Sequence, residues 1–255
     1  MMNFDFTDKV ALVTGGSRGI GRAIAGMLAD AGAKVAVHYN SNIAAGEETL
    51  AALAGEGHLL VQAEMGTVAQ LERMVEEVVG WFGRIDILIN NAGIYEDHPI
   101  APSSFDDWQT AWHNIIGVNL IGVANLTYLV AQEMMKTGGG RVVNVSSRGA
   151  FRGEPTAPAY GASKAGLNAM GQSLAKALAP HNIYVHTVAP GFVETDMADS
   201  ILSSPQGEEI RAQSPLNRVA TPEEVARTVL FCASEGTEFL TGCIVDVNGA
   251  SYLRS

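Results

Sequence analysis

The sequence predicts one α/β domain, a Rossmann-type doubly wound parallel sheet with helices on both faces. Three observations carry that prediction. Short Val/Ile/Leu runs recur along the chain, helical stretches separate them, and the first run opens directly into a glycine-rich turn and a helix. Runs that are apolar throughout suit strands covered on both faces, and the intervening helices supply the crossovers that parallel pairing requires.

Taken in order, VALVT (Val10 to Thr14) is the first strand, and the segment 18–31 follows it as a helix. VAVHY (Val35 to Tyr39) leads to a helix over 43–54, and LLVQA (Leu59 to Ala63) to one over 67–82. Thr67 stands where an N-cap is wanted, and Glu72, Arg73, Glu76 and Glu77 form a solvated face. IDILIN (Ile85 to Asn90) precedes a helix at 115–136, and RVVNVS (Arg141 to Ser146) one at 159–179 with Pro180 just beyond it. VHTVA (Val185 to Ala189), a helix at 222–234 capped by Thr221, and IVDV (Ile244 to Val247) complete seven strands. No proline- or serine-rich linker and no repeat divides the chain, so residues 1–255 form one domain. The longest irregular interval, Phe192 to Thr221 with Met197, Ile201 and Leu202, is a candidate lid.

Composition narrows the function. Of 255 residues 47% are apolar, with 28 Gly and 9 Pro, which is globular usage and excludes fibrous and disordered classes. Acidic residues outnumber basic ones by 27 to 16, and the net charge of -11 repels nucleic acid and anionic membrane surfaces. Asn114 to Gln132 is uncharged and close to the length of a membrane span, but six polar residues interrupt it. A core and oligomer helix is expected there. Only Cys232 and Cys243 occur, in no metal-ligand spacing, and Met1-Met2-Asn3-Phe4-Asp5 lacks the marks of a secretory signal. A reducing, cytoplasmic location is expected.

Gly15-Gly16-Ser17-Arg18-Gly19-Ile20-Gly21 follows the first strand and opens the first helix, the context a dinucleotide fingerprint needs. Its glycines permit a tight turn and close approach of a pyrophosphate to amides at the helix start. NAD-selective sites place an acid at the end of the second strand for the ribose hydroxyls. Here that stretch is His38-Tyr39-Asn40-Ser41-Asn42, with no acid before Glu47, and Arg18 is available to a 2′-phosphate. NADP(H) is favoured, with NAD(H) the other possibility.

Ser146-Ser147 close the fifth strand, and Tyr160 and Lys164 follow four apart on one helix face. A tyrosine hydroxyl titrates near 10, and drawing it toward neutrality takes about 4 kcal/mol for three pK units, which a neighbouring ammonium in a dry cleft can supply. Tyr160 is thus a candidate acid/base, Lys164 its ammonium, and Ser147 a donor to a substrate oxygen where charge develops.

At these residues the chain resembles the short-chain dehydrogenase/reductases: T-G-G-S-R-G-I-G (14–21), N-N-A-G (90–93), the serine at 147, Y-G-A-S-K (160–164) and P-G-F-V-E-T (190–195). The resemblance spans essentially the whole chain. It implies strand order 3-2-1-4-5-6-7, a homotetramer, Tyr160 as acid/base and Ser147 polarising the substrate oxygen. It further implies that Lys164 binds the nicotinamide ribose and lowers the tyrosine pKa, and that Asn119 holds a water in the proton relay. Asn91, Ala92 and Gly93 would line the adenosine side, and Pro190, Gly191, Val193 and Thr195 the nicotinamide side. The chain departs from the family at Glu64-Met65, where Asp and an apolar residue are usual against the adenine, and at Asp246-Val247-Asn248-Gly249-Ala250, where the last strand more often ends in D-G-G.

The remaining conspicuous residues read as structural. None of the six histidines has metal spacing, Trp108 and Trp112 pack four apart on a helix, and Met134, Met135 and Met170 fill the core. Arg148, Phe151, Arg152 and Glu154, with Tyr95, Glu96 and His98, are placed to reach a substrate. The expected function is NADP(H)-dependent reduction of a ketone, similar to the 3-oxoacyl carrier-protein reductase branch. An acyl thioester or a small carbonyl or alcohol is the substrate. Lys136, Arg148, Arg152 and Lys176 are the scattered cations open to an acidic carrier. The alternatives are an NAD-dependent alcohol, sugar or steroid dehydrogenase, and a non-catalytic dinucleotide sensor on the same scaffold.

Overall fold

The computed structural model describes residues 4–254; Met1, Met2, Asn3 and Ser255 lie outside the described residues, as do the side chains of Asp196, Met197 and Ser200. Seven strands form one all-parallel sheet in the order β3-β2-β1-β4-β5-β6-β7, as the sequence predicts. They are β1 (Val10–Val13), β2 (Lys34–Tyr39), β3 (Leu59–Gln62), β4 (Ile87–Asn90), β5 (Gly140–Val145), β6 (Ile183–Pro190) and β7 (Ile244–Val247). Successive side chains of a strand point to opposite faces, and each face has its own core. Ala11, Val13, Val35, Val37, Ile87 and Ile89 pack under α1 (Gly19–Asp30), α2 (Ile43–Ala52) and α10 (Pro222–Ala233). Leu12, Ala36, Leu88 and Val142 pack under α3 (Val68–Phe82), α5 (Val123–Lys136) and α7 (Pro158–Leu178).

The sheet order reverses between β1 and β4, and the chain leaves both strands at their carboxyl ends. The gap between those ends is where doubly wound sheets bind ligands. Buried polar groups tie the central strands together. Val10 N–H donates to the Asp86 carboxylate at 2.9 Å, and Asn90 Nδ2 donates to Thr127 Oγ1 (3.0 Å) and Asn144 Oδ1 (2.9 Å).

Several elements differ from the sequence expectation. The helix expected to begin at residue 115 begins as α4 (Phe105–Ile116), and passes through a π turn at Gly117–Gly122 into α5. Ser104 caps α4 by accepting from Asp107 N at 3.1 Å, and Asp106 and Asp107 in the first turn favour the positive end of its dipole. Among the described residues one helix, Phe105–Lys136, is long and apolar enough to cross a membrane. Its inner face is covered, with Leu126, Val130 and Met134 fully buried in the core under the sheet and Ile115 fully buried against Ala159 of α7. The 192–221 interval is not irregular: it folds as α8 (Asp196–Leu202) and α9 (Gln206–Ala212) over a small core of Leu202, Ile210 and Val219. Thr221 forms a capping box with Glu224, whereas the Thr67 hydroxyl donates to the Glu64 carboxylate (3.0 Å) and caps nothing. A single helical turn, α6 (Gly149–Arg152), precedes α7, and Pro180 sits in a 3₁₀ turn just past α7.

Candidate active site

The glycine turn is held from three sides. Thr14, at the end of β1, accepts from the amides of Asn91 (2.9 Å) and Ala92 (3.0 Å) through its hydroxyl, while Asn91 Nδ2 donates to the carbonyls of Thr14 (2.9 Å) and Gly15 (3.2 Å). Gly15 and Gly19 have φ of +61° and +52°, a region that side chains disfavour, and a Cβ on Gly21 would overlap the Gly15 carbonyl. The Ser17 carbonyl accepts from Arg22 Nη2 (2.8 Å) and the Thr49 hydroxyl (3.1 Å), which anchors the turn to α2. Ile20 packs on the core beneath.

His38, near the end of β2, supplies the third hold. Its Nδ1 accepts from Gly15 N–H at 3.0 Å, so its proton is on Nε2, which donates to the Ala63 carbonyl at 2.9 Å. The ring is 1% exposed, and burial lowers its pKa from the ordinary 6.5. His38 and Arg22 carry no motif that marks them for this role; the one sequence signal is a histidine in an otherwise apolar strand next to the glycine turn.

The residues present fit an anionic dinucleotide. The first amides of α1 have no intrahelical acceptor, its N-cap Arg18 makes no side-chain cap, and its first turn carries no acid. A Cβ on Gly19 would meet the Thr195 methyl at 3.1 Å, so the start of α8 lies over the turn. At the end of β2, Tyr39 is half-buried and Asn40 and Ser41 are exposed, as is Arg18 across the turn. Met65 is buried, with its carbonyl against Gly122, and the neighbouring Glu64 carboxylate accepts the Thr67 hydroxyl.

Beside this cradle, Ser147, Tyr160, Lys164 and Asn119 come together. Ser147 follows β5; its hydroxyl accepts from Gly149 N (3.0 Å) and lies near enough to the Tyr160 hydroxyl to favour its ionised form. The Tyr95 ring meets Tyr160 edge-on at 5.1 Å. Lys164 is buried, 5.8 Å from the centre of the Tyr160 ring, and donates to the Val145 carbonyl at 2.9 Å. Gly93 leaves room between them, since a Cβ there would lie 3.4 Å from Lys164 Nζ and 3.3 Å from Asn119 Oδ1. Asn119 is in the π turn, where its amide grips the Ile94 backbone, accepting from N (2.8 Å) and donating to O (2.9 Å), and reaches Ser163 Oγ (3.2 Å). One extra residue in a helix re-aims a side chain in this way, and such turns recur at functional sites.

Burial dominates the electrostatics of Tyr160 and Lys164. Burial pushes the Tyr160 hydroxyl up to about 12, with smaller contributions from Glu154 and Tyr95 and an opposing one from the Ser147 hydroxyl. Burial likewise brings Lys164 down to about 8. The ammonium faces the Val145 carbonyl and not the phenol oxygen, so loss of water outweighs charge attraction. On the other side, Pro190 ends β6, Gly191 abuts Asn248, and Val193 is buried in a bridge to Ala220. Arg148 is 3% exposed and so belongs to no surface patch for a carrier. Among the described residues no cluster of three or more metal-ligating side chains occurs.

These features define an oxidoreductase of the Rossmann type. A model of the family described as enoyl-(acyl carrier protein) reductase matches residues 15–250. The chain is 40% identical over 253 residues to the 3-oxoacyl-[acyl-carrier-protein] reductase FabG of Aquifex aeolicus, covering 98% of this chain and all of that one. It is 37% identical to the enzyme of that name from Staphylococcus aureus over 247 residues, 96% of this chain and 98% of the other. The 3-oxoacyl-[acyl-carrier-protein] reductase of Synechocystis is 37% identical over 250 residues, 97% and 98% of the two chains. The chain belongs to the short-chain dehydrogenase/reductase family, and it is an oxidoreductase acting on CH–OH or ketone groups.

Proposed function

We propose that this protein reduces a ketone to a secondary alcohol with NADPH, and that its substrate class includes 3-oxoacyl thioesters of the kind named for its relatives. The observation that carries the reading is the Ser147–Tyr160 hydroxyl pair beside the glycine cradle, with buried Lys164 next to it. The dinucleotide, when bound, supplies the hydride to the carbonyl carbon. The chain's own residues do the rest. Ser147 donates a hydrogen bond to the ketone oxygen, where negative charge grows. Tyr160 is a neutral phenol at physiological pH because burial holds its pKa high, and it gives its proton to that oxygen. Each turnover then adds one hydride and one proton, and the phenolate left on Tyr160 is reprotonated from solvent. Lys164 would hold the ribose hydroxyls. Asn119 fixes the Ile94 backbone beside the reacting atoms.

Gly15, Ser17, Gly19, Ile20 and Gly21 would cradle the diphosphate, with Asn91, Ala92, Gly93, Glu64 and Met65 toward the adenosine and Pro190, Gly191, Val193 and Thr195 toward the nicotinamide. Arg18, with no acid at Tyr39-Asn40-Ser41, supports NADP(H) over NAD(H). Exposed Phe105, Ile121 and Tyr128, with Phe231, Phe239 and Leu253, support a homotetramer. Free Cys232 and Cys243 suit a reducing cytoplasm. The test is Tyr160→Phe assayed with NADPH and acetoacetyl-coenzyme A. Turnover falls at least a hundredfold while NADPH binding persists; full turnover would refute the mechanism.

A further inference from the structure

Ion pairs around the carboxyl ends of β6 and β7 match carboxylates to arginines with one left over. Glu224 is held by Arg218 (2.6 Å), Asp246 by Arg254 (2.7 Å) and Glu154 by Arg152 (3.8 Å). Arg148, one residue after Ser147, touches no carboxylate among the described residues, although it is the most deeply buried of these four arginines at 3% exposure. Its guanidinium donates to two neutral oxygens, Ser251 Oγ and Gln213 Oε1, each at 2.6 Å, and lies 5.0 Å from the centre of the Phe192 ring. Arg152 converges on the same Gln213 oxygen at 3.4 Å. The nearby opposite charge acting on Arg148, Glu154, is already paired with Arg152; a buried charge so thinly compensated is costly, and two guanidiniums on one neutral amide oxygen repel each other.

Arg148 also borders a cavity of about 190 Å³, whose wall includes Phe192, Asn248 and Ser251 and the ion-paired Arg218, Glu224 and Asp246, while Arg152 and Gln213 lie beyond that wall. Asn248 abuts Gly191, which the proposed function places on the nicotinamide side, so the cavity adjoins the reacting region. Its base is fixed strand-end backbone, with Arg148 N bonded to the Pro190 carbonyl at 2.8 Å. Gln213, by contrast, belongs to the segment just after α9.

We propose that Arg148, assisted by Arg152, binds a carboxylate carried by the substrate, and that Gln213 occupies the carboxylate's place when no substrate is bound. With Glu154 counted, the trio holds one net positive charge, which suits a single carboxylate better than a phosphate dianion. The substrate class is then a ketone bearing a carboxylate, such as a free 3-oxo acid or an acyl chain ending in one. This deepens the proposed function and rests on it for turnover, but not for binding.

Two measurements separate the readings. Calorimetric titration of the purified protein with malonate, malonamide and inorganic phosphate tests the site without any chemistry. Malonate binds saturably, the neutral malonamide does not, and phosphate binds at least tenfold more weakly. Arg148→Met weakens malonate at least tenfold, and Gln213→Ala, which leaves the arginines in place, tightens it. Absent malonate binding, equal binding by malonamide or phosphate, or a Gln213→Ala variant that binds no more tightly overturns the proposal. In turnover with NADPH, 3-oxobutanoate is favoured over its ethyl ester, and Arg148→Met lowers the acid-to-ester ratio of kcat/KM at least thirtyfold. An unchanged ratio also overturns it. If neither ketone is reduced while malonate still binds, the reductase reading fails and the carboxylate site stands.

Discussion

Replacing His38 separates its two hydrogen bonds, because asparagine and glutamine each reproduce one of them. In His38→Asn the side-chain oxygen stands near the position of Nδ1 and continues to accept from Gly15 N–H. In His38→Gln the amide nitrogen reaches toward the Ala63 carbonyl, and Gly15 N–H is left without its acceptor. An unpaired buried amide costs about 1–3 kcal/mol, whereas a carbonyl with a second lone pair loses less. His38→Gln is therefore less stable than His38→Asn by about 1–2 kcal/mol in urea unfolding at pH 7.5. Acid adds a second signature. The folded pKa of His38 lies below its unfolded value of 6.5, so its contribution is complete above pH 6.5 and is lost as pH falls through the folded pKa. Within that window the loss approaches about 1.4 kcal/mol per pH unit. His186 is lowered by burial as well, so the native protein carries two such slopes and either His38 variant retains one. Equal stability of the two variants, or an acid slope as steep as the native one in both, would refute the account of how the turn is held.

Two further outcomes test the proposed function elsewhere. Arg18→Ala weakens NADPH binding at least tenfold while leaving NADH within about threefold, and the NADPH affinity of the native protein falls more steeply with added salt; nicotinamide fluorescence reads both. Light scattering gives a mass of four chains, and a monomer mass would remove the tetramer.

Much of this molecule is legible in its sequence because buried parallel strands and helix crossovers leave a coarse signal. VALV, VAVHY and RVVNV announce themselves as apolar runs, and their neighbours in the sheet follow from the turn chemistry around them. The short helices α8 and α9 do not, because seven-residue helices carry little periodicity and are fixed by Leu202, Ile210 and Val219 meeting in three dimensions. The start of α4 was obscured for a different reason: Asp106, Asp107, Gln109 and His113 make it polar where α5 is apolar. Tyr160 and Lys164 were legible as a spaced pair. Their protonation was not, because it depends on how completely the fold excludes water and on Lys164 turning to Val145. Partner choice of this kind is a property of packing, as is the solitary position of Arg148.

The pairing of β1 with β4 has a kinetic consequence. Val10 and Asp86, joined in the folded protein, are separated by 76 residues. During synthesis β2 and β3 emerge first and settle against one side of β1, while the other side stays an open edge of four apolar residues until Ile87–Asn90 leaves the ribosome. Unpaired edges of that kind recruit other chains, and the delay lengthens as synthesis slows. The same reversal of strand order that opens a crevice for a dinucleotide leaves the nascent chain exposed to aggregation longest at the strand on which that crevice is built.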